Sequence, residues 1–170
     1  MGVKKLAYHE RNVPYGKLDK KYSYEEAVNL VYDVFDNLDK EFSGIFKRFN
    51  ESGQVDVYPK KGKSGGAFCS YTLKSHPVYI LLNYTGKLND LYTIAHEFGH
   101  AINDELLRKK ERALNFGTST ATAEVASTFM EDFVLSHIMK NANEELRLAM
   151  MMAKLNDEMG SIPRQVACYM

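Results

Sequence analysis

From residue 88 to about residue 110, apolar side chains recur every three or four positions: Leu91, Ile94, Ala95, Phe98, Ala101 and Ile102. That period predicts one amphipathic α-helix. The same stretch holds TIAHEFGHAIND, residues 93–104, with His96 and His100 four residues apart and Glu97 directly after the first. An α-helix stacks positions i and i+4 on one face, so the two imidazoles point at one spot. Glu97 is turned about 100° away. It can reach a water at that spot without occupying it. This is the HExxH arrangement of two metal ligands and one general base. Gly99 is expected to open space beside it.

A zinc ion held this way needs a third protein ligand and keeps a fourth position for water. Glu124, in TATAEVASTFMED, is the candidate. It lies 24 residues after His100 on a second predicted helix, residues 122–140, and the RALNFGTST connector is long enough to bring that helix back beside the first. Its neighbours Ala123, Val125 and Ala126 are small or apolar, an odd setting for a purely solvated glutamate. Ser127 and Glu131 share its face at i+3 and i+7 and are expected to hold the ligands in place. One Zn2+ ion and a zinc-activated water attacking a peptide carbonyl, with Glu97 as the catalytic base, is the chemistry this pattern points to.

The rest of the chain reads as mainly α with a small β-sheet, an α+β arrangement within a single domain of residues 1–170. Residues 1–21 read as irregular, with Pro14 and Gly16 as turn signals. Ser23 and Glu26 form a capping box. Behind it, apolar spacing from Ala27 through Leu38 and Phe42 to Phe49 predicts one helix of about seven turns. Short runs rich in Val, Ile, Tyr and Phe predict strands at 55–58, 67–72 and 78–83. KKGKSGG between the first two predicts a flexible loop whose lysines face solvent or neutralise a peptide carboxylate. Asn143 caps a further helix that Gly160 stops, and Ser161 and Pro163 begin a last one. Met150, Met151 and Met152 read as helix packing or as part of an exposed patch.

Several function classes are disfavoured. Lys plus Arg and Asp plus Glu both number 22, so no basic excess points to nucleic acid or an anionic membrane. No run approaches the roughly 18 apolar residues of a membrane span, and no secretory leader is legible at the N-terminus. A cytoplasmic location is the expectation. Cys69 and Cys168 form no CxxC pair and read as free thiols. Cys69 has no histidine partner in sequence, which argues against a catalytic thiol. Tyr71, Tyr79, Tyr84 and Tyr92 flank the motif. Each either packs or lends a hydroxyl to an oxyanion.

With TIAHEFGHAIN, TAEVASTFMED, DVYPKKGKSGGAFC and PVYILLNYTGKLNDLYTIAHE together, the chain resembles the oligoendopeptidase F branch of the thimet-oligopeptidase-like zinc metallopeptidases. The resemblance covers nearly the whole chain. It implies zinc held by His96, His100 and Glu124, Glu97 as general base, and short peptides cleaved in a channel within a mostly helical body. It also implies that the strand at Gly66, Ala67 and Phe68 lies beside the cleft and pairs with substrate backbone. Members of that family are several times longer, and a downstream segment supplies a histidine and tyrosines for the oxyanion. Asn103 stands where many relatives have a further histidine. The chain therefore reads as the metal-binding core of such an enzyme. The alternative is a non-catalytic zinc-binding or interaction module, or a half-site completed by partner subunits. A homo-oligomer covering the surface that the longer relatives fill is the expected assembly.

Overall fold

The computed structural model describes residues 20–169, and the irregular reading of residues 1–19 lies outside them. The order is α1 (Tyr24–Leu38), α2 (Lys40–Glu51), β1 (Val55–Asp56), β2 (Phe68–Ser70), β3 (Tyr79–Leu81), α3 (Leu88–Lys110), a 3-10 turn (Ala113–Asn115), α4 (Thr120–Asn141), α5 (Glu144–Ser161) and α6 (Pro163–Tyr169). The chain is mainly helical with one small three-stranded sheet, as expected. Its backbone contacts divide it into two compact units, with residues 20–137 in one and residues 138–169 of the described chain in the other. No described helix is long and apolar enough to cross a membrane.

In the first unit, the Ser23–Glu26 capping box forms and starts α1. The single seven-turn helix does not. Asp39 adopts an extended conformation (φ −159°, ψ 135°), its N–H closes α1 on the Phe35 carbonyl, and its carboxylate accepts the Glu41 N–H at 2.7 Å to start α2. A short acidic side chain that bonds its own following backbone competes well with helical continuation. Folding back sets Phe35 edge-on to Phe46 (5.4 Å between ring centres), and Phe98 of α3 packs on Phe46 and Phe49 at 4.3 and 5.8 Å. All four rings are fully buried. They are the centre of the core against which α3 is fixed.

The sheet has the order β1-β3-β2. β1 runs parallel to β3 (Val55 opposite Ile80), and β2 runs antiparallel to it (Cys69 opposite Ile80). β2 is thus an edge strand. The KKGKSGG loop is not simply solvated. The Lys63 side chain is 2% exposed; its Nζ donates to the Asp56 and Tyr58 carbonyls, both at 2.9 Å, and pairs with the Asp56 carboxylate at 3.1 Å. A buried ammonium needs such partners, so this lysine ties the loop down.

β2 packs on α3, where Cys69 Sγ approaches Asp104 Oδ2 at 3.8 Å. Asp104 is 2% exposed. Burial, opposed by the Cys69 contact and by Arg108, pushes its carboxyl up to about 7. The ordinary unfolded value is about 4. A folded-state pKa above the unfolded one contributes stability below about pH 4 that is lost as pH rises through about 7. Asp104→Asn is therefore expected to flatten this decline and, at pH 8, to exceed the parent protein in stability by on the order of 2 kcal/mol once solvent screening is allowed for. Urea unfolding of both proteins at pH 5 and pH 8 measures it.

In the second unit, Asn143 Oδ1 accepts the Leu146 N–H at 2.8 Å and starts α5. Gly160 does not stop α5, which runs on to Ser161. A terminating glycine takes positive φ, and Gly160 is not among the residues that do. The methionine run splits. Met150 is buried, whereas Met151 and Met152 are exposed along with Leu155 and Met159.

Candidate metal centre

Two helices build the site, with all of its residues in the first unit. α3 supplies His96, Glu97 and His100, and α4 supplies Glu124, Ser127 and Glu131. Glu124 Oε2 lies 3.4 Å from His96 Nε2 and 3.8 Å from His100 Nε2. The three donor atoms all fall within 4.8 Å of one another. The imidazole rings meet edge-on, 5.0 Å apart.

Each of these groups is held by something else. Glu131 Oε2 sits 3.3 Å from His96 Nδ1. That bond raises the His96 pKa against the opposing effect of burial, and it leaves Nε2 facing Glu124. Burial lowers the His100 pKa, as does neighbouring His96; its ring also donates to the Ala123 carbonyl, which opposes the shift. Ser127 Oγ donates to Glu124 Oε2 at 2.8 Å and to the Glu124 carbonyl at 3.1 Å. Hydrogen-bonded partners of this kind fix the tautomer and orientation of metal-binding side chains. Ser127 and Glu131 were legible from helical spacing. The Ala123 carbonyl was not, because a backbone group carries no sequence signal.

Glu97 is 6% exposed. Burial raises its pKa, and nearby Glu124 adds to this. His96 and a hydrogen bond from the Cys69 N–H act in the other direction. That N–H comes from β2, which packs on α3. The expected space beside Gly99 is absent. A Cβ there would lie 2.6 Å from Ser127 Cα and 2.7 Å from the Ala126 carbonyl oxygen. The glycine instead lets the α3 and α4 backbones touch at the site.

Gly66 and Ala67 lead into Phe68 at the start of β2. Gly66 has φ +76°, a conformation open to glycine at little cost. Of the four tyrosines, Tyr84 has its hydroxyl bonded to the Tyr22 and Ser23 carbonyls and Tyr71 meets Phe116 edge-on. Tyr79 is exposed, and the buried Tyr92 hydroxyl has no hydrogen-bond partner among the described residues. Asn103 Nδ2 is likewise buried and unpartnered among them. Cys69 and Cys168 are free, and burial pushes the Cys69 thiol far up, away from nucleophilic use.

Residues 7–167 match the family model of Peptidase family M3. The chain is 35% identical over 146 residues to oligopeptidase PepF of Bacillus subtilis, covering 85% of this chain and 22% of that protein. It is 32% identical over 155 residues to the chromosomal oligoendopeptidase F of Lactococcus lactis subsp. cremoris, covering 89% and 25%. A crystal structure described as a peptidase from Chlamydophila abortus superposes with a TM-score of 0.83 at 30% identity, over 96% of this chain and 28% of that one. Pz peptidase A with an inhibitor gives 0.77 at 26% identity, over 98% and 30%. The chain thus spans less than a third of the length of these relatives. With that match over nearly its whole length, the chain belongs to peptidase family M3.

Proposed function

We propose that this chain carries the metal-binding core of a zinc-dependent endopeptidase acting on short peptides, with His96, His100 and Glu124 as ligands and Glu97 as general base. The observation that carries this reading is the convergence of three donor atoms from two helices within 4.8 Å. The donor set suits the ion. Ligand atoms about 2.0–2.2 Å from one tetrahedral zinc lie roughly 3.3–3.6 Å apart, close to the 3.4 and 3.8 Å separations from Glu124 Oε2. Two imidazoles and one carboxylate also leave a fourth position for solvent.

When bound, zinc would polarise the substrate carbonyl and acidify a water at the site. The chain's own groups do the rest. Glu97 accepts a proton from the attacking water as its oxygen bonds the carbonyl carbon, then delivers that proton to the departing amide nitrogen as the C–N bond breaks. The Cys69 N–H aims the Glu97 carboxylate, and Glu131, Ala123 and Ser127 hold the ligands still. The Gly66–Ala67–Phe68 segment leads into an edge strand whose outer backbone groups can pair with an extended peptide. Asn103 is no ligand in this reading.

The reading is tested by metal analysis of the purified chain together with turnover of a mixed pool of short peptides, with and without a chelator. One zinc per chain and chelator-sensitive cleavage is the expected result. One zinc with no cleavage would favour the non-catalytic module, or a site completed by further chain segments or subunits. No metal uptake would end the proposal.

A further inference from the structure

A cavity of about 300 Å³ opens beside the site, lined by Gly66, Ala67, Leu82, Asn83, Tyr84, Asp90 and Thr93. Its position follows from two elements already tied to Glu97. Thr93 precedes Glu97 by four residues on α3, about 6 Å along the helix axis. Ala67 precedes Cys69, whose N–H binds Glu97, by two residues, about 7 Å of extended chain. A peptide lying along β2 with its scissile carbonyl at Glu97 would therefore set one nearby side chain at this opening.

Hydrogen-bond accounting says what that side chain must be. The side-chain donors around the cavity are spent. Asn83 Nδ2 gives both its hydrogens to the Ser64 and Gly66 carbonyls, at 2.8 Å each. The Tyr84 hydroxyl donates to Tyr22 and Ser23, and Thr93 Oγ1 donates to the Asn89 carbonyl at 3.0 Å. Asp90 Oδ2 takes the Thr85 N–H, the Thr85 hydroxyl and the Lys87 N–H. Asp90 Oδ1 and Asn83 Oδ1 have no hydrogen-bond partner among the described residues, and both are acceptors. Among the described residues no lysine or arginine lines the cavity, while Leu82 and Ala67 give it apolar wall. Such a site fits an aliphatic stem ending in a cationic donor.

We infer that this cavity is a subsite selecting a lysine or arginine side chain close to the scissile bond of the peptide, with Asp90 as the residue that sets the charge preference. The inference rests on the peptide-binding reading above and adds the substrate class to it. Asp90 also holds the turn before α3, so its removal alone would be ambiguous. Thr93→Leu fills the same space from the helix and leaves every Asp90 bond intact.

The test measures binding, so it does not depend on turnover. A single lysine, arginine, norleucine or glutamate is walked through an alanine-based heptapeptide. Each peptide is titrated calorimetrically into the zinc-loaded Glu97→Gln protein and into the same protein carrying Asp90→Asn or Thr93→Leu. At one position only, lysine and arginine are expected to bind about tenfold tighter than norleucine, with glutamate the weakest. Asp90→Asn should bring lysine and norleucine within about twofold, and Thr93→Leu should weaken all side chains at that position alone. Equal affinities for lysine and norleucine at every position would overturn the subsite while leaving peptide binding intact. So would a lysine preference that survives both substitutions. No binding of any peptide would overturn the peptide-binding reading itself, and the subsite with it.

Discussion

Replacing Glu97 with glutamine is expected to lower peptide turnover by about 10²–10⁴-fold and to leave the metal content unchanged. Glutamine keeps the shape of the side chain and can still accept the Cys69 N–H, but it cannot take a proton from water. The surroundings of Glu97 suit the proposed proton-transferring role. Its side chain is 6% exposed, and burial and the Glu124 carboxylate both work to keep a proton on it, while His96 and the Cys69 N–H work to remove it. A pure metal scaffold has no use for an ionisable group whose burial must be offset in this way. Because the proton moves only during the reaction, kcat and kcat/KM should fall together and KM should change little. Steady-state kinetics beside metal analysis of the same preparation decides it. Turnover within a few-fold of the parent protein would remove Glu97 from the mechanism.

The parts of this molecule that can be read from its sequence are those fixed by local geometry. His96 and His100 must share a face because an α-helix puts them there, and Ser127 and Glu131 follow Glu124 on one face by the same rule. Helices α3 and α4 and the Ser23 cap are legible for that reason. The Asp39 break is not, because the apolar spacing continues across it and only the extended conformation of one residue reveals the turn. Nor is the role of Lys63, which depends on two carbonyls and a carboxylate in the preceding strand and loop. The hold of Cys69 on Glu97 requires β2 to sit at the sheet edge against α3, with β3 in the centre. That order is set by packing between distant segments, and no residue pattern announces it. The acceptors left free at the cavity are of the same kind, since they emerge only after the nearby side-chain donors have found their partners.

The second large effect is expected at a residue that touches neither metal nor substrate. Gly99→Ala should destabilise the protein by about 1–3 kcal/mol or more and weaken zinc binding at least tenfold. In an open helix the same change would stabilise by up to about 1 kcal/mol, since alanine is the better helix former. Sterics reverse the sign here. The new Cβ would meet Ser127 Cα at 2.6 Å, the Ala126 carbonyl oxygen at 2.7 Å and Ser127 N at 3.0 Å. All three are backbone atoms, so no side chain can rotate away, and Ser127 itself is fully buried. Relief requires α4 to move off α3 by on the order of 1 Å. Glu124 and Glu131 ride on α4, so the 3.4 Å and 3.3 Å approaches to His96 open with it. Gly44→Ala is the matched control, because Gly44 lies in α2 and a Cβ there meets nothing within 4 Å among the described residues. Thermal unfolding and zinc titration of the two variants should move in opposite directions for stability, with only Gly99→Ala losing metal. If both variants bind zinc and unfold alike, the helices do not approach at Gly99 as closely as 2.6 Å implies, and the ligand from α4 is not held by that contact.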